Sequence, residues 1–564
     1  MNSSRKNFFC YHFFMVTIAC FIVLLMRCKD NAVSTPEQLY NLSTDKDSLT
    51  FNYTGGNLSF ILNTNAAWQV NTSSTEVSFT PDRGDQAAVN QVISVSMNPL
   101  TDYRNIRTTI SVKTGDIATD EVIRKFIQII QIGPVKPDRQ PGIWSKSDYI
   151  AFAAAYNKGG DISEWKDDKG VINLWDNIDF GTDKIPLIGG QSTDNALLTD
   201  VNLAFTDHFN GHNKTIKGQL DDGNVMLVAL FTRLAPAGII ENLVADITAT
   251  STWTAANGHL AGIVGFSLAI TAGDTVVHVN NCIVKGKLTQ SGTGTGTRVG
   301  GIVAYCRTSI SGCENQAAID AASNRVGGII GGGGGAYTIS NCKNSGAISA
   351  NCSGAQVGGI IGQLNGQTVV SCVNQGNITA VANAATQVGG IAGQGQGTSS
   401  IGSDKPGDKC INTGTITLTL PAGITPSAAA AGGIAGNLNA AGVPVKNCEN
   451  TGNIISTADH ASVSVGGIGG KFTAATPITS CVNSGAVSAA TQAGGIVGWG
   501  SSAGTITSCT NTGAIGTLAT ATIPEKGTFI GGIIGKKGAA TYTNCTYGGT
   551  VSGVAGSADN AEGK

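Results

Sequence analysis

Cysteine, histidine and carboxylate side chains hold metals, form disulfides and move protons, and in this sequence the cysteines carry the clearest pattern. Nine of the 14 recur at a regular spacing: Cys282, Cys313, Cys342, Cys372, Cys410, Cys448, Cys481, Cys509 and Cys545. Cys306 and Cys352 lie off that register, and Cys10, Cys20 and Cys28 fall near the start of the chain. A zinc site would call for paired thiols, but here they come one per repeat without the Cys-x-x-Cys spacing.

Acid–base chemistry on a glycan needs two carboxylates a few ångströms apart, or a metal with a basic residue. Glu314 and Glu449 both follow a cysteine but stand four copies apart. Asp404 and Asp408, beside Lys405 and Lys409, sit in an insertion before Cys410 and read as a solvated loop. His208 and His212 near Asp207 form the one histidine cluster with ligand-like chemistry, and read as a turn; His259, His278 and His460 are scattered. The Gly-Gly-Ile segments lack the aspartate of calcium-binding nonapeptides. The glycine-rich stretches 331–335 and 393–397 lack the lysine and helix of a phosphate loop. No catalytic residue, cofactor or metal is expected.

The elements that position these side chains come from an internal repeat. Each copy follows the phrase Gly-Gly-Ile-x-Gly, a polar spacer, then Asn/Ser-Cys-x-Asn-x-Gly-x-Ile/Val. The isoleucines are Ile263, Ile302, Ile329, Ile360, Ile391, Ile434, Ile468, Ile496 and Ile533. From isoleucine to cysteine the step is 11 to 14 residues in seven copies and 19 in two; from cysteine to the next isoleucine it ranges from 15 to 24. Insertions therefore fall mainly in the second interval, which marks it as an outward loop.

Gly, Thr, Ser, Asn, Val and Ile dominate each copy, the apolar pieces are short, and no 3.6-residue pattern runs through them. That is the composition of strands and turns. Each copy reads as one coil of a right-handed parallel β-helix, which gains a core only by stacking. Isoleucine and cysteine point inward, and the paired glycines are expected to permit a tight bend with positive φ and close stacking. Asn315, Asn344, Asn374, Asn412, Asn450, Asn483 and Asn511 would stack at about 4.8 Å into an amide ladder. Val284 and Tyr547 replace asparagine in the first and last copies. Nine coils at that rise span roughly 43 Å. Stacked cysteines would have Cβ atoms about 4.8 Å apart, longer than the roughly 3.5–4.5 Å of a disulfide. They are predicted as buried free thiols acting as apolar filler; whether Cys306 and Cys352 pair stays open.

In chain order, residues 1–28 are a targeting segment: Arg5 and Lys6, an apolar run over 8–26, then Cys28-Lys29-Asp30-Asn31. This resembles a bacterial lipoprotein signal, which implies Cys28 as the lipid-bearing residue. Arg27 departs from the small residue of that pattern. Thr17-Ile18-Ala19-Cys20 fits the cleavage pattern better, so Cys20 or an uncleaved anchor are the alternatives; all three export the chain. Residues 29–48 are a polar tether.

Residues 49–133 alternate in short runs such as Leu58-Ser59-Phe60-Ile61 and Thr109-Ile110-Ser111-Val112, with turn signals between, which reads as an immunoglobulin-like β-sandwich. Asn65-Ala66-Ala67-Trp68, the stretch from Tyr103-Arg104 to Val112, and Ile129-Ile130-Gln131-Ile132-Gly133 resemble the BACON domain of Bacteroidetes surface proteins. Some members of that family are thought to bind carbohydrate or mucin. Trp68 would then be a possible ligand contact, stacking on a sugar; the competing reading is a sandwich-core tryptophan.

Residues 134–142 form a proline-containing linker. Within 143–250, the stretch 147–156 has the one good helical pattern, suited to a short helix capping the end of the β-helix. The first irregular coils follow, and 251–564 carries the repeats. From about 142 onward the repeated phrase resembles the GLUG-motif β-helices of bacterial adhesin-like proteins, which implies a scaffold and no particular activity.

A net charge of −2 on 564 residues gives no electrostatic footprint for nucleic acid. Over 251–564, 24 of 314 residues are charged, so the surface there is mostly small and polar. Such a surface suits multivalent contact with a glycan, mucin, or a host or bacterial surface protein. Trp165, Trp175, Trp253 and Trp499 are candidates for an aromatic platform, each more readily a cap or core residue. The expectation is an all-β, non-enzymatic, adhesin-like lipoprotein held at the outer membrane on the cell surface. The alternatives are a carbohydrate-active β-helix enzyme (lyase or hydrolase) and a purely structural spacer.

Overall fold

The structure is a computed structural model. It describes residues 40–563 apart from 101–104, 118–120, 134–139, 191–203, 221–224, 271–272, 293, 352–353, 383, 422, 440–441, 518, 520–526, 553 and 556–560. The chain divides into two compact units, 1–139 and 140–564.

The first unit is a β-sandwich. Leu42–Thr44, Gly56–Thr64, Ala88–Met97 and Val77–Thr80 form a four-stranded antiparallel sheet. Ser48–Phe51, Glu121–Gln131, Ile106–Asp116, Trp68–Asn71 and Arg83–Gly84 form the five-stranded partner. Alternation places Phe60, Leu62, Ile93 and Val95 of one sheet, with Trp68, Val70, Ile110, Val112, Ile127 and Ile129 of the other, in a single core. The sandwich reaches further back than its expected start. Leu42–Thr44, read as tether from its polarity, pairs with Leu62, Asn63 and Thr64, and Leu42 packs on the core.

The second unit is a parallel β-helix. One coil runs Arg298–Gly300, Val303–Cys306, Ser309–Ser311, Glu314–Asn315 and Ala318–Ala321. Each strand pairs in parallel with its counterpart one coil on, as in Arg298↔Arg325, Val303↔Ile330, Ile310↔Ile339, Asn315↔Asn344 and Ile319↔Ile348. Repetition builds sheets of 12, 21, 10 and 10 strands. At the beginning, helix α1 (Lys146–Asn157) has Ser145 at its N-cap, accepting from the Asp148 N–H at 3.2 Å. The Asp148 carboxylate accepts in return from the Trp144 N–H at 3.0 Å, a reciprocal cap. Tyr149, Phe152 and Ala153, at helical spacing, bury into the core of the first coils, where Tyr149 meets Phe180 edge-on at 5.5 Å.

The corners show why certain letters repeat. None of the glycines directly before the nine isoleucines has positive φ, so that part of the expectation is corrected. They are needed for close approach: a Cβ on Gly432 would lie 2.1 Å from the Ala435 carbonyl oxygen, across the bend, and one on Gly433 would lie 2.1 Å from that of Gly467 in the next coil. The left-handed corner comes instead just before the cysteine, at Asn281, Gly312, Asn341, Ser371, Asn447, Ser480, Ser508 and Asn544, with φ between 50° and 65°. Asparagine and glycine suit that region because each escapes most of its steric cost, and serine takes it here as well. The copy at Cys410 has Lys409 with φ −57° and reaches the corner through a short 3₁₀ turn, Pro406–Asp408.

Inside, eight of the nine cysteines, Cys282 to Cys509, are buried free thiols, and Cys545 in the last coil is half-buried. Burial pushes the Cys313 and Cys372 thiols up, which keeps them protonated. The seven asparagines have no exposed surface, and each Nδ2 donates to Oδ1 of the next coil at 2.7–2.8 Å, from Asn315 through Asn483. Asn511 ends the series by donating to the Gly532 carbonyl at 3.1 Å.

Candidate functional site

The paired glycines fold the two ten-stranded sheets sharply toward each other, so the side chains pointing outward from both meet in one seam. The positions are fixed by the repeat: four residues before each isoleucine and three after it. The first column runs His259, Arg298, Arg325, Gln356, Gln387, Ala430, Ser464, in register from coil to coil. The second runs Phe266, Tyr305, Gly332, Gln363, Gln394, Asn437, Lys471, Trp499, Lys536. Neither column holds a carboxylate.

The columns touch along their length. The Arg298 guanidinium lies 4.2 Å over the Tyr305 ring, and Tyr305 stacks on Phe266 at 4.7 Å. Gln356 and Gln363 both donate to Oε1 of Gln394, at 2.5 and 3.3 Å. Further on, Lys471 Nζ sits 4.0 Å from the Trp499 ring centre and Lys536 Nζ 5.1 Å from it. Gln363, Gln394 and Asn437, each 7 % exposed, close the middle into a floor, whereas Arg298, Tyr305, Arg325 and Gln356 at one end, and Lys471, Trp499 and Lys536 at the other, are half-buried. Gln387 Oε1 and Asn437 Oδ1, both buried in that floor, have no hydrogen-bond partner among the described residues.

No protein family profile matches the chain, and no curated protein does. Solved structures give distant likenesses. The ASH / PapD-like domain 7 of human CEP192 aligns at 10 % identity over 19 % of this chain and 98 % of its own, with TM-score 0.15. WR4, a C. elegans MSP family member, aligns at 13 % over 16 % of this chain and 97 % of its own, TM-score 0.13. A Bacteroides ovatus GH5 xyloglucanase in complex with a XXXG heptasaccharide aligns at 12 % over 32 % of this chain and 37 % of its own, TM-score 0.15. At such scores none of them bears on function.

Of the residues singled out from the sequence, Trp499 and His259 lie in the seam and the others fall elsewhere. Trp68 is 3 % exposed inside the sandwich core, and the chain packs so tightly there that a Cβ on Gly84 would lie 2.4 Å from its Nε1. Sugar stacking at Trp68 is thereby corrected to a packing role. Cys28, Cys20 and Cys352 lie outside the described residues; Cys306 is a buried free thiol. Asp207, His208 and His212 do not converge: Asp207 pairs with Lys166 at 2.6 Å, His208 with Glu241 at 2.9 Å, and His212 with Asn173 Oδ1 at 2.8 Å. Among the described residues, no group of three or more His, Cys, Asp or Glu is placed to hold a metal. Trp165 and Trp253 are buried, while Trp175 is half-buried and stacks on His212 at 4.3 Å. The sandwich has a concavity of about 730 Å³ beside Asp47 and Phe126, and the β-helix one of about 490 Å³ beside Asp274 and Tyr337. Among the described residues each is lined by one carboxylate, where paired acid–base work needs two.

His259, fully buried at the seam's beginning, gives a pH signature. Its Nδ1 donates to the Gly258 carbonyl at 2.9 Å and its Nε2 has no partner. Burial, then the nearby Arg298 and Arg325, hold its pKa well below the ordinary histidine value. A depressed folded pKa means stability is complete above about pH 6.5 and falls below it, by at most about 1.4 kcal/mol per pH unit, until the folded pKa is reached. Urea denaturation at pH 7.5 and 5.5 is expected to show a larger loss in the wild type than in His259→Phe. Equal losses would put the effect elsewhere.

Proposed function

We propose that this is an exported, lipid-anchored, non-enzymatic surface protein that binds a glycan chain laid along the β-helix seam. In this reading the sandwich is a BACON-like module and the coils are GLUG-like repeats. Cys28 carries the lipid, and the outer membrane is the site of attachment. The observation that carries the binding role is the seam itself, with polar or aromatic side chains from both sheets at nearly every coil and half-buried cations beside aromatic rings at its two ends. Successive coils rise about 4.8 Å, close to the length of one pyranose unit in an extended chain. A linear glycan parallel to the axis would therefore offer similar groups to each coil. Its hydroxyls would meet the half-buried polar side chains at the seam's two ends, Gln356 among them, and its rings the exposed edges of Tyr305 and Trp499. The absence of carboxylates from both columns favours binding over cleavage.

A glycan array probed with the full chain tests this. Wild-type protein is expected to retain at least one linear glycan, and Trp499→Ala to weaken it by about tenfold, near the worth of one aromatic contact, without lowering the melting temperature. Silence across the array, or binding indifferent to Trp499, would overturn the reading. Labelled palmitate incorporation that Cys28→Ser leaves intact would overturn the assigned anchor.

A further inference from the structure

We infer that the glycan is an acidic polysaccharide, gripped at two cationic stations near the ends of the seam; this rests on the binding reading above and names its ligand class. The first station is Arg298 and Arg325, which occupy the same position in consecutive coils. The second is Lys471 and Lys536, on either side of Trp499.

Like charges stacked so closely repel, and a fold tolerates this where something else supplies the opposite charge. Among the described residues, none of the four cations has a carboxylate within ion-pair distance. Three lysines elsewhere on the β-helix are matched: Lys343 with Glu314 at 3.3 Å, Lys409 with Glu449 at 2.9 Å, Lys446 with Asp404 at 2.7 Å. Lys537, next to Lys536, reaches Glu562 at 2.6 Å, so a carboxylate stands near the second station without pairing with either of its lysines.

The cations are also partly withdrawn from water. Burial, and then Arg325 beside it, pushes Arg298 down to about 10, and burial followed by Lys536 lowers Lys471. Arg298 donates once, to the Gly296 carbonyl at 2.8 Å, while its Nε is buried without a partner. An incoming carboxylate or sulfate would neutralise both members of a station, and in the guanidinium pair would find forked donors that suit planar oxyanions. Tyr305 and Trp499 hold the cations against their ring faces, so each station presents its charge beside an aromatic edge.

Spacing adds a length requirement. Arg325 and Lys471 are four coils apart, about 19 Å at the rise of stacked strands. A chain of two or three sugars reaches one station, and a longer one joins both and gains avidity.

The test is affinity electrophoresis of the full chain in gels containing dextran, dextran sulfate, galactan or polygalacturonate, repeated at rising NaCl. Retardation is expected in at least one acidic polymer and in neither neutral one, weakening with salt; the sulfated and carboxylated gels identify which acid group is read. Arg298→Gln with Arg325→Gln, and separately Lys471→Gln with Lys536→Gln, should each weaken binding by about tenfold or more, while Arg298→Lys with Arg325→Lys keeps part of it. These changes relieve repulsion, so melting temperatures should not fall; should a variant fail to fold, the wild-type salt dependence still decides. Salt-independent retention in neutral gels, lost in Trp499→Ala, would overturn the acidic ligand and leave glycan binding standing. Acidic retention unchanged in both glutamine pairs would move the site off the seam. No retention in any gel would overturn both readings.

Discussion

Gly390→Ala is expected to cost more than about 3 kcal/mol, the upper range for overpacking, and to open the β-helix in its middle. A Cβ there would lie 2.2 Å from the Gly433 carbonyl oxygen and 2.4 Å from Cγ of Asn412. Neither neighbour has room to yield. Gly390 N–H donates to Gly432 at 3.2 Å and Ile391 N–H to Ile434 at 3.0 Å, which fixes the distance between coils, and Asn412 is held by its own ladder. Gly407→Ala is the matched control: nothing lies within 4 Å of its Cβ, and the turn should tolerate it. Because each coil of a solenoid is held by its neighbours, the damage should be local at first. Limited proteolysis is expected to cut Gly390→Ala near the coils of Ile391 and Ile434 under conditions that leave wild type and Gly407→Ala whole. Equal resistance of all three would mean that close approach at this glycine does not hold the coils together.

The same physics decides what could be read from the letters alone. A side chain that stacks on its own copy in a closed lumen has few acceptable types, so isoleucine, cysteine and asparagine repeat and the β-helix is visible in them. The seam is outward. Its positions need only fit each other across the bend, so the residue type drifts from Arg298 to Gln387 to Ser464 and from Tyr305 to Asn437 to Trp499. The signal was present as a fixed offset from each isoleucine, but no recurring letter marked it, and the sharp bend that brings the two offsets together is a property of the backbone. Glycine was ambiguous for a related reason. It serves either positive φ or close contact, and only the carbonyl oxygens of the next coil show that the second applies at Gly433. Trp68 was ambiguous in kind as well, since a tryptophan suits a sandwich core first and a sugar platform second. What decides it is Gly84, whose missing side chain leaves the space the indole fills.

Asn412→Asp should be more harmful than Asn412→Ala at neutral pH, although aspartate keeps the shape of the side chain. Asn412 accepts from Asn374 Nδ2 at 2.7 Å and donates through its own Nδ2 to Asn450 Oδ1 at 2.7 Å and to the Gly414 carbonyl at 3.0 Å. Alanine leaves two acceptors and one donor N–H without their partner and opens a small cavity, at roughly 1–3 kcal/mol for each group so stranded. A carboxylate keeps the bond from Asn374 but turns a negative charge toward two oxygens, with no exposed surface through which water could help. An uncompensated buried charge costs about 3–5 kcal/mol, added to the same two lost bonds. The sign of the pH dependence follows. Burial and the facing oxygens raise the folded-state pKa of this aspartate above its unfolded value near 3.9, so stability is present at acid pH and is lost as pH rises toward the folded pKa, at up to about 1.4 kcal/mol per unit. Once protonated, the carboxyl has an O–H to give to Asn450 or Gly414, and the ladder is partly restored. Urea midpoints at pH 7 and pH 4, read against wild type, should therefore place aspartate below alanine at pH 7 and bring the two together or reverse them at pH 4. Alanine should show no such gain. An aspartate as stable as asparagine at pH 7 would mean that the ladder's donors are not needed, and that the stacked amides fill space in the lumen without carrying the coils.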